Sequence, residues 1–371
     1  MKKGDGGNLA LIAILAALTV GLGLAIWILP KRSFSEEENR TLTTWSSGDF
    51  RGIFSGEFSE KLNLFYTDQF PMRSTLTACR AYAELAQGKG ENNGVLFGRD
   101  GYRIFRRDRL DTDATRRSLD RLLPLADAAK AQDTPALFCV VPGAVNVLDA
   151  SLPPLYDATE ANDSYAGLCA EIPDRLDLAP ALREAADAGE QVFYRNDHHW
   201  TTGGAYLAYC EIMKRLGMTP LPKDYFTVEV ASDDFSGTTA ARSGLPAKIP
   251  DRIELYRYAG DTDFSVWNPE SGSTQTGFYR EDSACRGKYE IFLGGNFARL
   301  RITAENNENR PRLLLVKDSY ANAVIPFLAL HFDLEVIDPR YYRLPLAPLI
   351  VGNAYDALLF LISADTLAEQ S

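Results

Sequence analysis

Four strand-length runs constrain the fold most: the continuously apolar Ala136–Val141 and Ala357–Ile362, and Arg312–Val316 and Leu334–Ile337, which are apolar apart from Arg312 and Glu335. A strand apolar at every position has both faces covered. Such strands belong to parallel sheets with helices packed on each side. Helical patterns separate them, over residues 115–131, 180–188 and 203–216, the last stopped by Gly217 as a C-cap. A further helix is expected over 320–331, started late or kinked by Pro326. Gln191–Tyr194 and Tyr289–Leu293 read as two more strands, and Val95–Phe105 as a hairpin about a Gly/Asp turn. Helices with Phe54, Phe58, Leu62 and Phe65 on one face are expected within 50–85. Residues 225–285, rich in Ser, Gly, Asp and Thr, read as an irregular insertion or lid. The pattern predicts an α/β domain, three-layered α/β/α, with a mostly parallel sheet.

The N-terminus has a different constraint. Leu9–Leu29 contains no charged residue. As a helix it spans roughly 30 Å, the thickness of a bilayer core. Lys2 and Lys3 precede the run and Lys31 and Arg32 follow it. It ends in Ile26-Trp27-Ile28-Leu29-Pro30, which lacks the small-x-small pattern of a signal-peptidase site. The expectation is an uncleaved membrane anchor over 1–30, a polar linker over 31–49, and a domain over 50–371 outside the cytoplasm. A buried helix of a soluble protein is the alternative.

A net charge of −11 argues against nucleic acid as a partner. The five cysteines show neither a CxxC pair nor metal-ligand spacing. Outside the cytoplasm one or two disulfides among them are conceivable, although Cys139, within an apolar strand, reads as core.

The chain has three histidines, and two stand together in Arg195-Asn196-Asp197-His198-His199-Trp200-Thr201-Thr202-Gly203-Gly204. Histidine is the side chain suited to moving protons near neutral pH. The third, His331, has no acid beside it. In an extended stretch, residues i and i+2 face the same side, pairing Asp197 with His199 and sending His198 elsewhere, to support structure or line the pocket. Four polar motifs follow predicted strands: Asp197-His198-His199, Gly294-Gly295-Asn296, Asp318-Ser319 and Asp338-Pro339-Arg340. In open α/β sheets ligands bind outside the carboxyl ends of the strands, so these motifs are expected at one edge.

Ser319, in a polar turn between strand and helix, is the candidate nucleophile, near N–H groups suited to an oxyanion. Read locally, it is equally the N-cap of that helix. His199 is the candidate base and Asp197 the acid that orients it, with Asp365 as a fallback acid. Gly294 and Asn296 are candidate oxyanion donors or a simple turn. His198, Trp200, Tyr320 and Arg340 are candidate substrate contacts. Trp200 has the alternative of a core aromatic, and Arg340 that of an ion pair with Asp338. Metal binding by Asp197, His198 and His199 is the weaker option, because a third spaced histidine is missing. No cofactor is implied: neither GxxxxGK nor GxGxxG occurs.

These residues resemble the DHHW family, bacterial membrane-anchored proteins named for the motif seen at Asp197-His198-His199-Trp200. The likeness extends to Leu293-Gly294-Gly295-Asn296, to Lys317-Asp318-Ser319-Tyr320-Ala321-Asn322 with Pro326-Phe327-Leu328, and to Asp338-x-Arg340-Tyr341-Tyr342. It includes Ser35-Glu36-x-Glu38-Asn39-Arg40, Asp68-x-Phe70-Pro71-x-Arg73 and Gly98-x-Asp100-Gly101-Tyr102. The family is similar to the SGNH-hydrolase-like domains of alginate O-acetylation proteins. There an Asp-x-His-Trp motif precedes a Ser-Tyr motif. The resemblance implies that fold, with Asp197, His199 and Ser319 as acid, base and nucleophile. It implies an O-acetyltransferase or acetylesterase acting on a cell-surface polysaccharide, with a membrane-bound O-acyltransferase as partner. Two departures stand out: Asp318 precedes the serine, and no carbohydrate-binding module is evident after the domain. A non-catalytic glycan-binding or assembly protein is the competing class.

Overall fold

The computed structural model describes residues 5–35, 40–45, 56–282, 285, 288–305 and 309–369. Phe54 and the acidic stretch Glu36–Asn39 lie outside them. The chain forms two compact units, 1–93 with 240–246, and 94–239 with 247–371.

In the first unit, α1 (Asp5–Ile28) contains one segment, Gly7–Ile28, long and apolar enough to cross a membrane, with a mean hydropathy of 2.7. Its leucines and isoleucines are largely exposed, and Leu9 is 70% accessible. Its last turn is anchored by Trp27, whose Nε1 donates to the Tyr66 hydroxyl at 2.9 Å and whose ring lies 5.2 Å from Phe65. Phe65 and Tyr66 belong to α2 (Gly56–Asp68), which is followed by α3 (Arg73–Ala86).

The second unit is built on an eight-stranded mixed sheet. Its strands are β1 (Ala136–Val141), β2 (Leu176–Asp177), β3 (Phe264–Asn268), β4 (Ser273–Thr276), β5 (Arg299–Ala304), β6 (Arg312–Lys317), β7 (Asp333–Ile337) and β8 (Ala357–Ser363), in the order β4-β3-β5-β7-β6-β8-β1-β2. The run from β7 to β2 is parallel throughout; β5, β3 and β4 join antiparallel at one edge. The expected parallel sheet is thus the half that carries the four apolar runs.

Alternation along these runs separates two cores. Leu137, Cys139, Leu313, Leu315, Leu359 and Leu361 face one layer, with Leu182 of α6 (Ala179–Asp187) and residues of α7 (Thr202–Arg215) such as Tyr209 and Ile212. Phe138, Val140, Leu314, Val316, Leu358 and Phe360 face the other, where α4 (Thr112–Lys130) contributes Leu119, Leu122 and Ala129, and α5 (Thr159–Ala170) contributes Leu168. Parallel register sets Val316 beside Phe360, and Phe360 beside Phe138, their rings stacked at 4.9 Å. This is the three-layer α/β/α arrangement. Cys139 is fully buried, and all five cysteines are free thiols.

Several local expectations change. Residues 225–285 are not irregular: they hold an antiparallel hairpin, 227–235 with 251–257, and then β3 and β4. These strands escape the apolar-run criterion because only alternate residues are buried, as with Phe264, Val266 and Asn268. Tyr289–Leu293 is not a strand but a 3₁₀ turn over Tyr289–Ile291, where Leu293, Gly294 and Gly295 all take positive φ. Gln191–Tyr194 makes only a single bridge, Phe193 to Trp200. The helix expected over 320–331 is a 3₁₀ turn, Ser319–Ala323, then one turn of α-helix, Ile325–Leu328, with Pro326 in its first turn.

Candidate active site

Ser319 is placed by β6. The strand ends at Lys317, and Asp318 caps the following turn, its Oδ1 accepting from the Tyr320 N–H at 3.1 Å. Asp318 Oδ2 accepts from the Ser363 N–H at 2.8 Å, tying the turn to the end of the neighbouring β8. The cap is therefore Asp318, and Ser319 is the first residue of the turn, with its hydroxyl free for another partner. First-turn N–H groups have no partner within the helix, and the Ser319 amide is one of them.

Asp197 and His199 come from a loop and not from a strand end. The loop is held by buried Asp251. Its Oδ1 accepts from the Arg195 N–H (2.9 Å) and Gln191 Nε2 (2.8 Å), and its Oδ2 from the Asn196 N–H (2.7 Å) and Nδ2 (2.9 Å). Asn196 Nδ2 also donates to the Ile249 carbonyl, and the Arg103 N–H to the Arg195 carbonyl. After the loop, Trp200 is wholly buried and donates from Nε1 to the Tyr320 carbonyl at 2.9 Å. Thr201 then caps α7.

The two arms meet in one hydrogen-bonded line. Ser319 Oγ lies 2.8 Å from His199 Nε2, and His199 Nδ1 lies 2.6 Å from Asp197 Oδ1. A carboxylate only accepts, so Nδ1 carries the ring proton and Nε2 accepts from the serine hydroxyl. Asp197 is saturated: Oδ1 also takes the His199 N–H (3.0 Å), and Oδ2 takes the Thr238 N–H (2.8 Å) and hydroxyl (2.9 Å). Burial opposes its charge, but His198, His199 and these donors outweigh burial and hold the carboxyl well below the usual range.

Thr238 and Gly237 carried no signal in the sequence, yet both shape the acid. A Cβ on Gly237 would sit 2.2 Å from Asp197 Oδ2, so only glycine lets this backbone reach the carboxylate. Tyr289 also went unnoticed. Its ring stacks on His199 at 3.8 Å and 6°, and its hydroxyl donates to the Tyr320 carbonyl at 3.3 Å. The opposite side of His199 meets His198, with centroids 3.9 Å apart.

His198 lines a small cavity together with Asp197, Tyr320, Gly143, Arg107 and Asp365. Asp365 pairs with Arg107 at 3.1 Å and shows no bond to either histidine. Tyr320 donates its hydroxyl to the His198 carbonyl at 2.5 Å. Asn296 Oδ1 accepts from Lys317 Nζ (3.0 Å) and Asn322 Nδ2 (3.1 Å). Gly294, at φ +84°, packs against Arg280. Arg340 makes a two-pronged ion pair with Asp338 at 2.7 and 2.9 Å. Buried Lys317 lies 3.5 Å from the same carboxylate and is pushed down to about 8 by burial, against the pull of Asp338. Asn296, Lys317, Asp338 and Arg340 thus form a polar cluster beneath the strand ends. Asp197, His198 and His199 bring potential ligand atoms within 4.8 Å of one another, but both Nδ1 atoms and both carboxylate oxygens are engaged in hydrogen bonds.

Residues 182–337 match the family model described as DHHW protein, and residues 95–255 match the SGNH hydrolase-like domain of the acetyltransferase AlgX. Among curated proteins the chain is 26% identical to a probable alginate O-acetylase AlgJ of Pseudomonas fluorescens, over 48% of this chain and 50% of that one. It is 24% identical to the AlgJ of Pseudomonas syringae pv. tomato, over 62% and 59%. The chain thus spans between half and three fifths of the length of these relatives. A crystal structure of a DHHW family protein from Eubacterium siraeum superposes with a TM-score of 0.64 at 23% identity, covering 76% of this chain and 94% of that one. The DHHW match includes Asp197, His199 and Ser319, and so the whole hydrogen-bonded line.

Proposed function

We propose that this DHHW protein is a serine acyl-ester enzyme, an O-acetyltransferase or acetylesterase acting on a cell-surface polysaccharide. One observation carries the reading: the unbroken line Ser319 Oγ–His199 Nε2, His199 Nδ1–Asp197 Oδ1, at 2.8 and 2.6 Å. A serine hydroxyl is a weak nucleophile until a base takes its proton, and the base needs a fixed tautomer. Here Asp197 fixes it, and the Tyr289 stack fixes the ring plane. Ser319 attacks the acyl carbon, His199 takes the proton and delivers it to the leaving oxygen, and the acyl group rests on Ser319. An acceptor hydroxyl, or water, then completes the turnover through the same base.

Polysaccharide acetylation is supported by the AlgJ relatives and the AlgX domain match. The apolar, exposed α1 supports a single-pass anchor. A domain outside the cytoplasm, and a membrane-bound O-acyltransferase that supplies the acyl group, complete the reading by resemblance to the alginate O-acetylation proteins. The test is intact mass of the full chain in detergent after treatment with a sulfonyl fluoride. One adduct at Ser319, lost in His199→Ala, is expected. No adduct, together with no turnover of a chromogenic acetyl ester, sinks the reading.

A further inference from the structure

We infer that His198 is a second acceptor site, which takes a neighbouring hydroxyl of the acyl acceptor and so selects vicinal diols over water and simple alcohols. The inference rests on the acyl-enzyme reading above and adds the acceptor's chemistry to it.

The argument is a proton count. His198 Nδ1 lies 2.6 Å from Thr238 Oγ1, and that hydroxyl lies 2.9 Å from Asp197 Oδ2. A hydroxyl has one proton, and an ionised carboxylate has none to give. Thr238 therefore donates to Asp197 and accepts from His198, which puts the His198 ring proton on Nδ1. Burial, and then repulsion from His199, disfavours a second proton, so at neutral pH Nε2 is a lone pair. One aspartate thus sets the tautomer of both histidines, of His199 directly and of His198 through Thr238.

Geometry then aims the lone pairs. Both rings are tethered at Nδ1 toward the same carboxylate, and their centroids are 3.9 Å apart. Both Nε2 atoms therefore project away from Asp197. That of His199 meets Ser319 Oγ. That of His198 has no hydrogen-bond partner among the described residues, while its side chain is 29% accessible and lines the cavity beside Tyr320. An imidazole held in one tautomer, with an unfilled acceptor, beside a small cavity and in ring contact with His199, is built to receive a donor. Water and mono-alcohols have one oxygen, so they satisfy one imidazole. A vicinal diol satisfies both.

In the transfer step, the attacking hydroxyl oxygen bonds to the acyl carbon and its proton passes to His199 Nε2. The bond from that carbon to Ser319 Oγ breaks, and the same proton goes to Oγ. The second hydroxyl keeps its proton and donates a hydrogen bond to His198 Nε2.

The test uses the full chain in detergent, with p-nitrophenyl acetate as donor and either 1,2-propanediol or 1-propanol as acceptor. The readout is ester formed per acetate released. Both products come from one acyl-enzyme, so the ratio is independent of how much protein is folded. The wild type is expected to favour the diol about fivefold or more, and His198→Phe to bring the preference near unity. Thr238→Ser, which keeps the hydroxyl, retains the preference, whereas Thr238→Val lowers it. A wild-type preference within about twofold, or one that survives in His198→Phe, overturns the inference while acetyl-Ser319 still forms. Absence of acetyl-Ser319 in the wild type overturns the acyl-enzyme reading as well.

Discussion

The serine and histidine arms of this site are built in opposite ways. Ser319 follows a buried strand whose two parallel neighbours fix its position residue by residue. His199 sits in a loop with a single bridge to a strand-like partner, held by the four hydrogen bonds of one buried carboxylate, Asp251. Each arm uses an aspartate to gather backbone N–H groups. On the serine arm Asp318 duplicates what the ladder already secures; on the histidine arm Asp251 is backed only by scattered bonds, such as those of the Arg103 N–H to the Arg195 carbonyl and the Tyr194 N–H to the His199 carbonyl. A site that joins a strand-laddered arm to a loop gathered mainly by one carboxylate should fail at that carboxylate first.

The largest effect tests whether the arms meet for chemistry at all. Ser319→Ala should lower acetyl-ester turnover by about 10³-fold or more, roughly 4 kcal/mol of transition-state stabilisation, with the fold unchanged by circular dichroism. Unchanged turnover in that folded variant breaks the comparison at its root. The next effect bears on the Asp251 carboxylate. Removing a buried acceptor leaves donors unsatisfied at about 1–3 kcal/mol each. Asp251→Ala, which strands four bonds, should therefore cost about 4 kcal/mol or more in denaturant unfolding, and Asp318→Ala, which strands two, about half as much. Equal losses would show that the ladder gives Ser319 no redundancy.

The same contrast decides what the sequence disclosed. The serine arm was legible because parallel strands announce themselves as apolar runs, and the polar turn after Val316 marks the sheet edge. The pairing of Asp197 with His199 was legible from their spacing, although through an extended-strand argument that the structure replaces with a loop. Asp251 was not legible: it lies 54 positions from Asp197, and nothing local separates it from other acids. Thr238, Gly237 and Tyr289 were hidden for the same reason, within stretches read as irregular or as strand. Burial on alternate residues hid β3, and the positive φ of Leu293, Gly294 and Gly295 ended what composition presented as a strand.

His198 gives a pH test of the histidine arm. Its folded-state value is pushed down to about 4 from 6.5, by burial and then by His199. The unfolded chain therefore binds the extra proton first as pH falls. The contribution is fully present above about 6.5 and is lost as pH drops toward 4, on the order of 3 kcal/mol at most. His198→Phe should flatten the stability profile in that window. A profile as steep as the wild type's would assign the slope to other groups. Gly237→Ala comes next. The added methyl must displace the Asp197 carboxylate or the Thr238 backbone, and turnover is expected to fall about 10- to 100-fold, with thermal stability changing less. Full activity would mean that Asp197 tolerates displacement.

Tyr289 carries the smallest effect and divides the arms most finely, because it touches both: its ring stacks on His199 and its hydroxyl reaches the Tyr320 carbonyl beside Ser319. The hydroxyl bond is long, at 3.3 Å, and the Tyr320 carbonyl also receives Trp200 Nε1 at 2.9 Å. Tyr289→Phe should therefore cost about 0.5–1 kcal/mol of stability and leave turnover within about threefold. Tyr289→Leu removes the flat face under the imidazole. The ring can then tilt about its Nδ1 tether, and turnover should fall about tenfold while the unfolding midpoint moves little. If Phe proves as damaging as Leu, the hydroxyl and not the stack is what Tyr289 contributes, and its role belongs to the serine arm.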